Sequence, residues 1–406
     1  MNILHLSIRN IKAKPLTATI SIVLFATGVF IISFLMIVKE QITAHFEKNV
    51  AGINLVVGAK GSPLQLILST IYHIDYPTGN ISYEDAKRLG KSPLVANTIP
   101  MALGDNYQSF RIVGTTADYA SLYGGTLQAG VLWTNDFEVT IGHKAAETTG
   151  LKVGDRFAGV HGFIETDHTH GDHQYTVTGI FDRTGTVLDQ LILTNISSVW
   201  RIHEHEEDDD DDDNEELNTV NNSDFQEKEI TALLVFYRNA MGAISLPRLV
   251  NQNTNMQAAS PAIELNRLFS LMGTSVQTIS SIAYLIIIIS GLSIFVSLLN
   301  AMKERKYELA LIRVMGGSKL RIFALVITEG LMIAFAGLFA GLILSKLAVV
   351  GVAWYTDDVF YFDMNSLGNL KNDILLLAGS LLIGFAASLL PAIKAMKTDI
   401  SRTLSE

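Results

Sequence analysis

A short stretch at residues 165–175, ETDHTHGDHQY, places three histidines within six positions, with carboxylates among them. A second stretch at 203–216, HEHEEDDDDDDNEE, adds two more histidines ahead of an acidic run. Six of the 10 histidines in the chain fall between residues 161 and 205. Imidazole binds zinc, copper and nickel, and two or three imidazoles with one carboxylate can complete a tetrahedral zinc site. The candidate ligands are His161, Asp167, His168, His170, Asp172, His173, His203 and His205.

The simpler alternative is that both stretches are solvated polar loops. The first lies between the strand-like segments DRFAGV and YTVTGIF, so residues 161–174 are expected to form an extended hairpin loop. Along such a loop His168 and His170 share one side, and Gly171 permits a turn towards His173. The second, at 203–216, is low in complexity and self-repelling, which predicts a disordered loop. The clustering of six histidines beside carboxylates favours zinc binding.

The composition indicates that a membrane protein carries these histidines. Only 17% of the residues are charged, against about 25% in soluble domains. The absence of cysteine excludes disulfides, cysteine-ligated zinc and thiol catalysis. A formal net charge of -10 argues against nucleic acid as a partner.

Four charge-poor runs are each about long enough to cross a bilayer, and they divide the chain. We expect an amphipathic cytoplasmic segment at 1–15, spans at 16–38, 276–302, 320–353 and 374–391, an outer domain at 39–275, a basic cytoplasmic helix at 303–319, a short outer loop at 354–373 and a cytoplasmic tail at 392–406. Basic residues flank the cytoplasmic sides, so both termini are predicted to be cytoplasmic. Stalk helices are expected at about 39–50 and 258–275.

The outer segment has the pattern of a folded α+β domain. Six segments rich in β-branched and aromatic residues predict strands between residues 53 and 237. Residues 82–90 and 142–150 predict short helices, the first of them capped by Ser82. The fold class is therefore a membrane protein with four transmembrane α-helices and a large α+β extracytoplasmic domain inserted between helices 1 and 2.

Motifs for nucleotide chemistry are absent from the sequence. It contains no GxxxxGK[ST], no GxGxxG after a strand and no HExxH. The glycine-rich GAKGSP at 58–63 lacks the Lys-Ser/Thr ending of a phosphate loop, and is interpreted as a turn. The chain is therefore expected not to be an enzyme and to need a separate ATPase subunit for any ATP-driven work.

The basic segment at 302–321, MKERKYELALIRVMGGSKLR, has Tyr307, Leu311 and Val314 at helical i, i+4, i+7 spacing. Gly316 and the next glycine are expected to end that helix, and Ser318 to cap the following one. Two interpretations remain open on physical grounds. The helix either lies on the anionic inner leaflet or docks a cytoplasmic partner.

The order of these elements resembles the permease subunits of MacB/FtsX/Lol-type (type VII) ABC transporters. The segment KERKYELALIRVMGGSK is similar to the family signature at Glu304, Arg305, Glu308, Leu309, Arg313 and Gly316. TEGLMIAFAGLFAGLIL resembles the third span, with Glu329 at its acidic position and Gly337 and Gly341 on its small-residue face. LLPAIKAMKTDISRTL resembles the closing segment, although Thr398-Asp399-Ile400-Ser401 stands where the family usually has Asp-Pro.

The resemblance implies a multi-pass protein of the bacterial inner (plasma) membrane, surrounded by membrane lipids. It would pair with a second permease copy, identical or paralogous, on cytoplasmic ABC ATPase subunits that bind the ATP. Residues 303–317 would be the coupling helix, and ATP-driven movement would pass to the outer domain (mechanotransmission). The residues expected to carry the coupling are Glu304, Arg305, Glu308, Leu311, Arg313 and Gly316.

Glu329 is an ionisable residue within the third span. Burying a charge in a span costs a few kcal/mol on insertion scales, which makes such a residue a functional candidate. The alternative is a structural hydrogen bond to a neighbouring helix. Gly337 and Gly341 form a GxxxG, which permits close helix approach.

The leading functional interpretation is a type VII permease linked to zinc through its histidine-rich loop, with a periplasmic binding protein as a further partner. One alternative is a lipoprotein, lipid or drug export permease of the same fold, in which the loop is incidental. The other is a non-transporting, FtsX-like membrane regulator of a cell-wall enzyme.

Overall fold

The computed structural model describes residues 3–13, 15–160, 169–209, 228–356 and 370–397. The chain divides into two compact units. The membrane unit consists of Met1–Ala44 and Ser270–Glu406, and the inserted domain is His45–Phe269. In the described part of the chain, four helices are long and apolar enough to cross a membrane. The predicted fold class, four such helices with an α+β domain inserted between the first and the second, is confirmed.

The described part of the membrane unit is helical. Its helices are α1 (Ile3–Ala13), α2 (Pro15–Val50), α9 (Pro261–Glu304), α10 (Lys306–Val314), α11 (Lys319–Thr356) and α12 (Leu370–Met396), and the last turn of α2 and the start of α9 belong to the inserted domain. Pro15 and Pro261 open α2 and α9, where the missing N–H has no helical partner in any case.

Small and hydroxyl side chains bring the spans together. A Cβ on Gly341 of α11 would lie 2.7 Å from Ala26 O and 2.8 Å from Val29 Cβ, both on α2. The Oγ atoms of Ser33 and Ser345 lie 2.8 Å apart and also join α2 to α11. In lipid there is no hydrophobic drive between helices, so such close approach and interhelical hydrogen bonds hold them together.

The inserted domain is built around a mixed sheet. Its strands are β1 (Leu55–Ala59), β2 (Ile81–Ser82), β3 (Val95–Tyr107), β4 (Phe110–Thr115), β5 (Leu127–Gly130), β6 (Glu138–Ile141), β7 (Arg156–Val160), β8 (Thr169–Phe181), β9 (Leu191–Asn195), β10 (Glu229–Ile230), β11 (Ala232–Tyr237) and β12 (Met256–Ala259). The main sheet has the order β12-β1-β11-β3-β4-β9-β6-β8-β5, with β7 against β3 and β8, while β10 pairs with β2. The pairs β4–β9 and β6–β8 are parallel.

Helices cover this sheet, and their apolar sides form its core. They are α3 (Pro63–Thr70), α4 (Tyr83–Gly90), α5 (Ala117–Leu122), α6 (His143–Thr149), α7 (Ile196–Asp209) and α8 (Ala240–Asn253). One core cluster joins α4, α7 and α8 to β1, β3 and β11. A second lies among β4, β6, β8 and β9.

The six predicted strands are present as β1, β4, β6, β8, β9 and β11, and the two predicted helices are α4 and α6. Ser82 stands at the N-cap of α4 as predicted, although its side chain makes no capping hydrogen bond. The turn expected in GAKGSP leads directly into α3, where Ser62 Oγ accepts a hydrogen bond from Gln65 N.

The described residues of both histidine-rich stretches differ from the predicted loops, whereas residues 161–168 and 210–216 lie outside the described part of the chain. Strand β8 already begins at Thr169, because it pairs with β7 as far as Val160, and it continues through Gly171 without the expected turn. Residues 203–209 lie in α7 rather than in a loop. An apolar face (Ile196, Val199 and Ile202) anchors the start of this helix, and extending an existing helix is easier than nucleating one. The second stalk also begins later than expected, at Pro261.

Candidate functional site

Helix α10 presents an exposed apolar face. Tyr307 is 60% exposed, Leu311 45% and Val314 60%, and Met315 at the helix end is also exposed. The opposite side is fixed to the membrane unit by the buried Leu309 and Ala310. The helix is therefore held by a narrow inner side, while most of its large apolar side chains face outwards.

Both ends of α10 are defined by local backbone geometry. Arg305 separates α9 from α10, and Leu309 N donates to Arg305 O at 3.0 Å. At the other end Gly316 has φ +90°, a region that favours glycine. Ser318 Oγ accepts from Arg321 N at 3.3 Å in the first turn of α11, so the predicted cap is confirmed. The predicted range 303–319 thus contains the end of α9, all of α10 and the first residue of α11.

Arg305 and Glu329, predicted separately for coupling and for the third span, lie together. Arg305 Nη1 is 3.8 Å from Glu329 Oε1, and the two side chains are only 15% and 9% exposed. Arg305 Nη2 donates to Asn10 O at 2.9 Å. Asn10 Nδ2 donates to the same Glu329 Oε1. These three residues, which we call the polar junction, join α1, the α9–α10 break and α11.

Asn10 is not among the residues predicted from the sequence. A usable signal was present, because Asn10 continues the stripe formed by Ile3 and Leu6 in α1, and a polar residue in an apolar stripe needs a partner. Glu304 ends α9, and Glu308 and Arg313 lie in the first and last turns of α10, where their charges suit the helix dipole.

An open apolar cavity of about 190 Å³ adjoins α10. It lies among α1, α10 and the start of α11. Its lining residues include Ile3, Leu6, Ile312, Met315, Ile322 and Leu325. The exposed face of α10 therefore continues into a concave apolar surface.

In the inserted domain, a set of hydrogen bonds holds the last turn of α2. Tyr72 Oη donates to Phe46 O at 2.9 Å, and Tyr123 Oη donates to Asn49 O at 3.1 Å. Val187 N donates to Asn49 Oδ1 at 2.9 Å. We call these contacts the α2 clamp. Asn49 O is one of the final carbonyls that have no partner within a helix, so Tyr123 satisfies it.

The α2 clamp is rigid because its parts are themselves held. The buried carboxylate of Asp189 accepts from Thr184 N at 2.8 Å, Thr184 Oγ1 at 2.7 Å and Gly185 N at 2.7 Å. These bonds fix the loop that precedes Val187. Burial raises the pKa of the Tyr72 and Tyr123 hydroxyls above their usual range, so both remain donors at neutral pH.

The predicted metal ligands are only partly placed. His161, Asp167 and His168 lie outside the described residues. The backbone places His170, Asp172 and His173 in β8, and His203 and His205 in α7. Among the residues that the structure describes, no three His, Cys, Asp or Glu side chains are grouped so that they could hold a metal. The zinc site therefore stays a prediction.

Comparisons with known proteins cover both units. The model of the FtsX-like permease C-terminal family matches residues 280–400. The model of the MacB-like periplasmic core domain family matches residues 17–231, which is more than half of the chain. No curated protein matches the chain.

Two solved structures are similar to parts of it. The periplasmic region of MacB from Actinobacillus actinomycetemcomitans is 13% identical, covers 55% of this chain and 97% of its own, and has a TM-score of 0.35. The extracellular domain of the noncanonic ABC-type transporter YknZ from Gram-positive bacteria is 14% identical, covers 51% and 100%, and has a TM-score of 0.31. From the two family matches, the chain belongs to the MacB/FtsX-type family of ABC transporter permeases.

Proposed function

We propose that this chain is the permease subunit of an ATP-driven type VII ABC transporter of the bacterial inner membrane. In this proposal α10 docks on a cytoplasmic ABC ATPase, and a second permease copy completes the complex. The observation that carries it is the exposed face of α10, with Tyr307, Leu311, Val314 and Met315 directed outwards beside an apolar cavity. Contiguous exposed apolar surface marks an interaction site, and members of the family work with such an ATPase.

The polar groups of the spans support mechanical transmission rather than passage of substrate through the permease. Ser33 pairs with Ser345, and Ser21 Oγ lies 3.0 Å from Ser293 Oγ. Glu329 is bound within the polar junction. Side chains that satisfy one another in this way do not line an aqueous path. The α2 clamp supplies a rigid attachment through which movement of α2 reaches the sheet.

The test of the docking role is reconstitution. The chain and a cytoplasmic ABC ATPase from the same organism are expected to copurify from detergent, and the ATPase should turn over faster with the permease in nanodiscs than alone. An ATPase that neither copurifies nor changes its rate would exclude the docking role.

Changing Asn49 to Leu is expected to uncouple the domain from the ATPase. The change leaves the partly buried Val187 N without its acceptor, which costs up to about 1–3 kcal/mol, and loosens the α2 clamp. Stimulation of the ATPase should persist. A fluorophore can be attached at Val131→Cys, because Val131 is exposed and the chain has no cysteine. The fluorescence change that ATP causes in the parent should be lost in the Asn49→Leu variant. Asn251→Leu is the matched control, because Asn251 Oδ1 accepts from Ala258 N in the same domain. A response that survives Asn49→Leu, or that Asn251→Leu removes equally, contradicts the transmission role.

The orientation follows from the positive-inside rule and is directly measurable. Reporter fusions after residue 14, within 303–321 and after 395 are expected to report cytoplasm, because basic residues are retained on that side. Fusions near residues 120 and 362 should report the outside. An external signal from 303–321 would remove α10 from any cytoplasmic ATPase and overturn the proposal.

We propose further that the histidine-rich stretch links this permease to zinc. Its support is the clustering of histidines in the sequence, and the donor set suits zinc better than magnesium or calcium. The alternatives, an export permease with an incidental stretch and an FtsX-like regulator, predict no zinc binding.

Changing His168, His170 and His173 together to Ala is expected to remove most of the zinc binding by the full chain in detergent. Neutral imidazole is the form that binds zinc, and an unperturbed histidine titrates near 6.5. The affinity for zinc should therefore be highest at about pH 7.5 and fall as the pH drops through about 6. Calorimetry at both pH values is the measurement. Deletion of residues 208–213 is the control, with a smaller effect expected. Equal zinc binding by the triple variant and the parent would end the zinc proposal and leave the permease proposal intact.

A further inference from the structure

Arg305 occupies the point at which α9 gives way to α10. Backbone hydrogen bonds continue on both sides of it, from Arg305 N to Ala301 O at 3.1 Å and from Leu309 N to Arg305 O at 3.0 Å. The direction of α10 therefore depends on the conformation at this residue. Its side chain is fixed to α1 through Asn10 O and lies beside Glu329 of α11.

The Arg305–Glu329 ion pair is not expected to add much to the stability of the fold. A buried ion pair usually contributes no more than well-packed apolar residues of similar volume would. The polar junction is directional, whereas apolar packing is not, because each hydrogen bond has a preferred geometry. It specifies where Arg305 must lie with respect to two other helices.

We infer that the polar junction sets the orientation of α10, and that through Asn10 it makes α1 a working part of the coupling apparatus. Asn10, Arg305 and Glu329 are positioning residues: they act on α10 and do not themselves contact the ATPase. Movement imposed on α10 then reaches α1 and α11 at one shared point. This inference rests on the proposed function of α10, although the orientation itself can be measured without any ATPase.

The first measurement is a distance between α1 and α10. The chain has no cysteine, so spin labels can be attached to Leu4→Cys and Met315→Cys, which are 57% and 81% exposed in the parent. In nanodiscs without ATPase, the parent is expected to give one narrow distance distribution. Glu329→Gln removes the charge that faces Arg305 and should broaden it. An unchanged narrow distribution in Glu329→Gln overturns the inference.

The second measurement is the stimulated ATPase rate of the reconstituted complex. Glu329→Gln and Arg305→Gln should each reduce stimulation about tenfold, which lies within the usual range of coupling energies. The ATPase should still copurify, because the outer face of α10 is intact. The double variant should be no worse than either single variant, whereas independent losses of stability would add. Full stimulation in the single variants, or additive losses in the double variant, contradicts a shared positioning role.

The matched control is a second ion pair on α11. Lys346 Nζ lies 2.9 Å from Asp373 Oδ2 on α12, and Asp373→Asn should change neither the label distance nor the stimulation. If Glu329→Gln fails to fold, Asn10→Ala removes the hydrogen bond that α1 donates to Glu329 and decides by the same two readouts. If the parent chain stimulates no ATPase, the proposed function fails, and the distance measurement alone still decides whether the junction orients α10.

Discussion

Replacing Leu311 with Asp is expected to abolish ATPase stimulation while the protein still inserts and folds. Leu311 is 45% exposed on the outer face of α10, so the folded permease tolerates a carboxylate there. On docking, the same carboxylate would be buried without a partner, which costs several kcal/mol. Docking should weaken about 100-fold or more. Stimulated hydrolysis and copurification are the measurements, with melting in detergent as the check on folding.

The control for this change is Val131→Asp in the inserted domain. Val131 is 64% exposed, so this change also replaces an exposed apolar side chain with a carboxylate, but on a surface that has no part in docking. Stimulation should remain at the parent level. A Leu311→Asp variant that stimulates the ATPase fully would show that the ATPase does not bury this face of α10, and the docking role would be lost.

Replacing Gly341 with Leu should destabilise the membrane unit. Its Cβ alone would lie 2.7 Å from Ala26 O and 2.8 Å from Val29 Cβ, closer than real contacts allow, and the rest of the side chain would force α11 away from α2. Overpacking of this kind costs about 1–3 kcal/mol, occasionally more, and separation would also stretch the Ser33–Ser345 hydrogen bond. A lower midpoint in detergent denaturation is the expected result.

Gly351 provides a control on the same helix. A Cβ at Gly351 would meet nothing within 4 Å, so Gly351→Leu should leave the denaturation midpoint unchanged or raise it through the better helix propensity of leucine. Equal losses at the two positions would mean that leucine is poorly tolerated throughout α11. In that case the close approach at Gly341 would not explain the result.

The membrane helices were predictable because long runs without charge have few other uses in a protein. Strand β3 was not. It contains Pro100, which cannot donate to a ladder and argues against a central strand, and its far end carries the buried Asp105 and Asn106. The strand nevertheless pairs with β11 through Pro100 and with β4 beyond it. Tertiary pairing overrode the local signal, as is usual for β-structure.

The functional residues also divide into those that local sequence patterns predict and those that depend on distant contacts. The exposed stripe of α10 was visible as a spacing, because helical periodicity is a local property. The polar junction was not, because Asn10 and Glu329 are 319 positions apart and a single sequence carries no record of which distant side chains meet. The α2 clamp was invisible for the same reason. Tyr72 and Tyr123 look like ordinary core aromatics until their hydroxyls are placed against the end of α2.

The hydrogen bonds of α2 also constrain how the protein is made. Ser21 and Ser33 pair with residues 272 and 312 positions later in the chain. At about 5–20 residues per second, the ribosome takes roughly 15–55 s to travel from Ser21 to Ser293. The inserted domain is one continuous segment, so its whole sequence is available before the second span is synthesised. Ser21 and Ser33 therefore enter the bilayer before their interhelical partners are synthesised, and closure of the membrane unit is a late event in biogenesis.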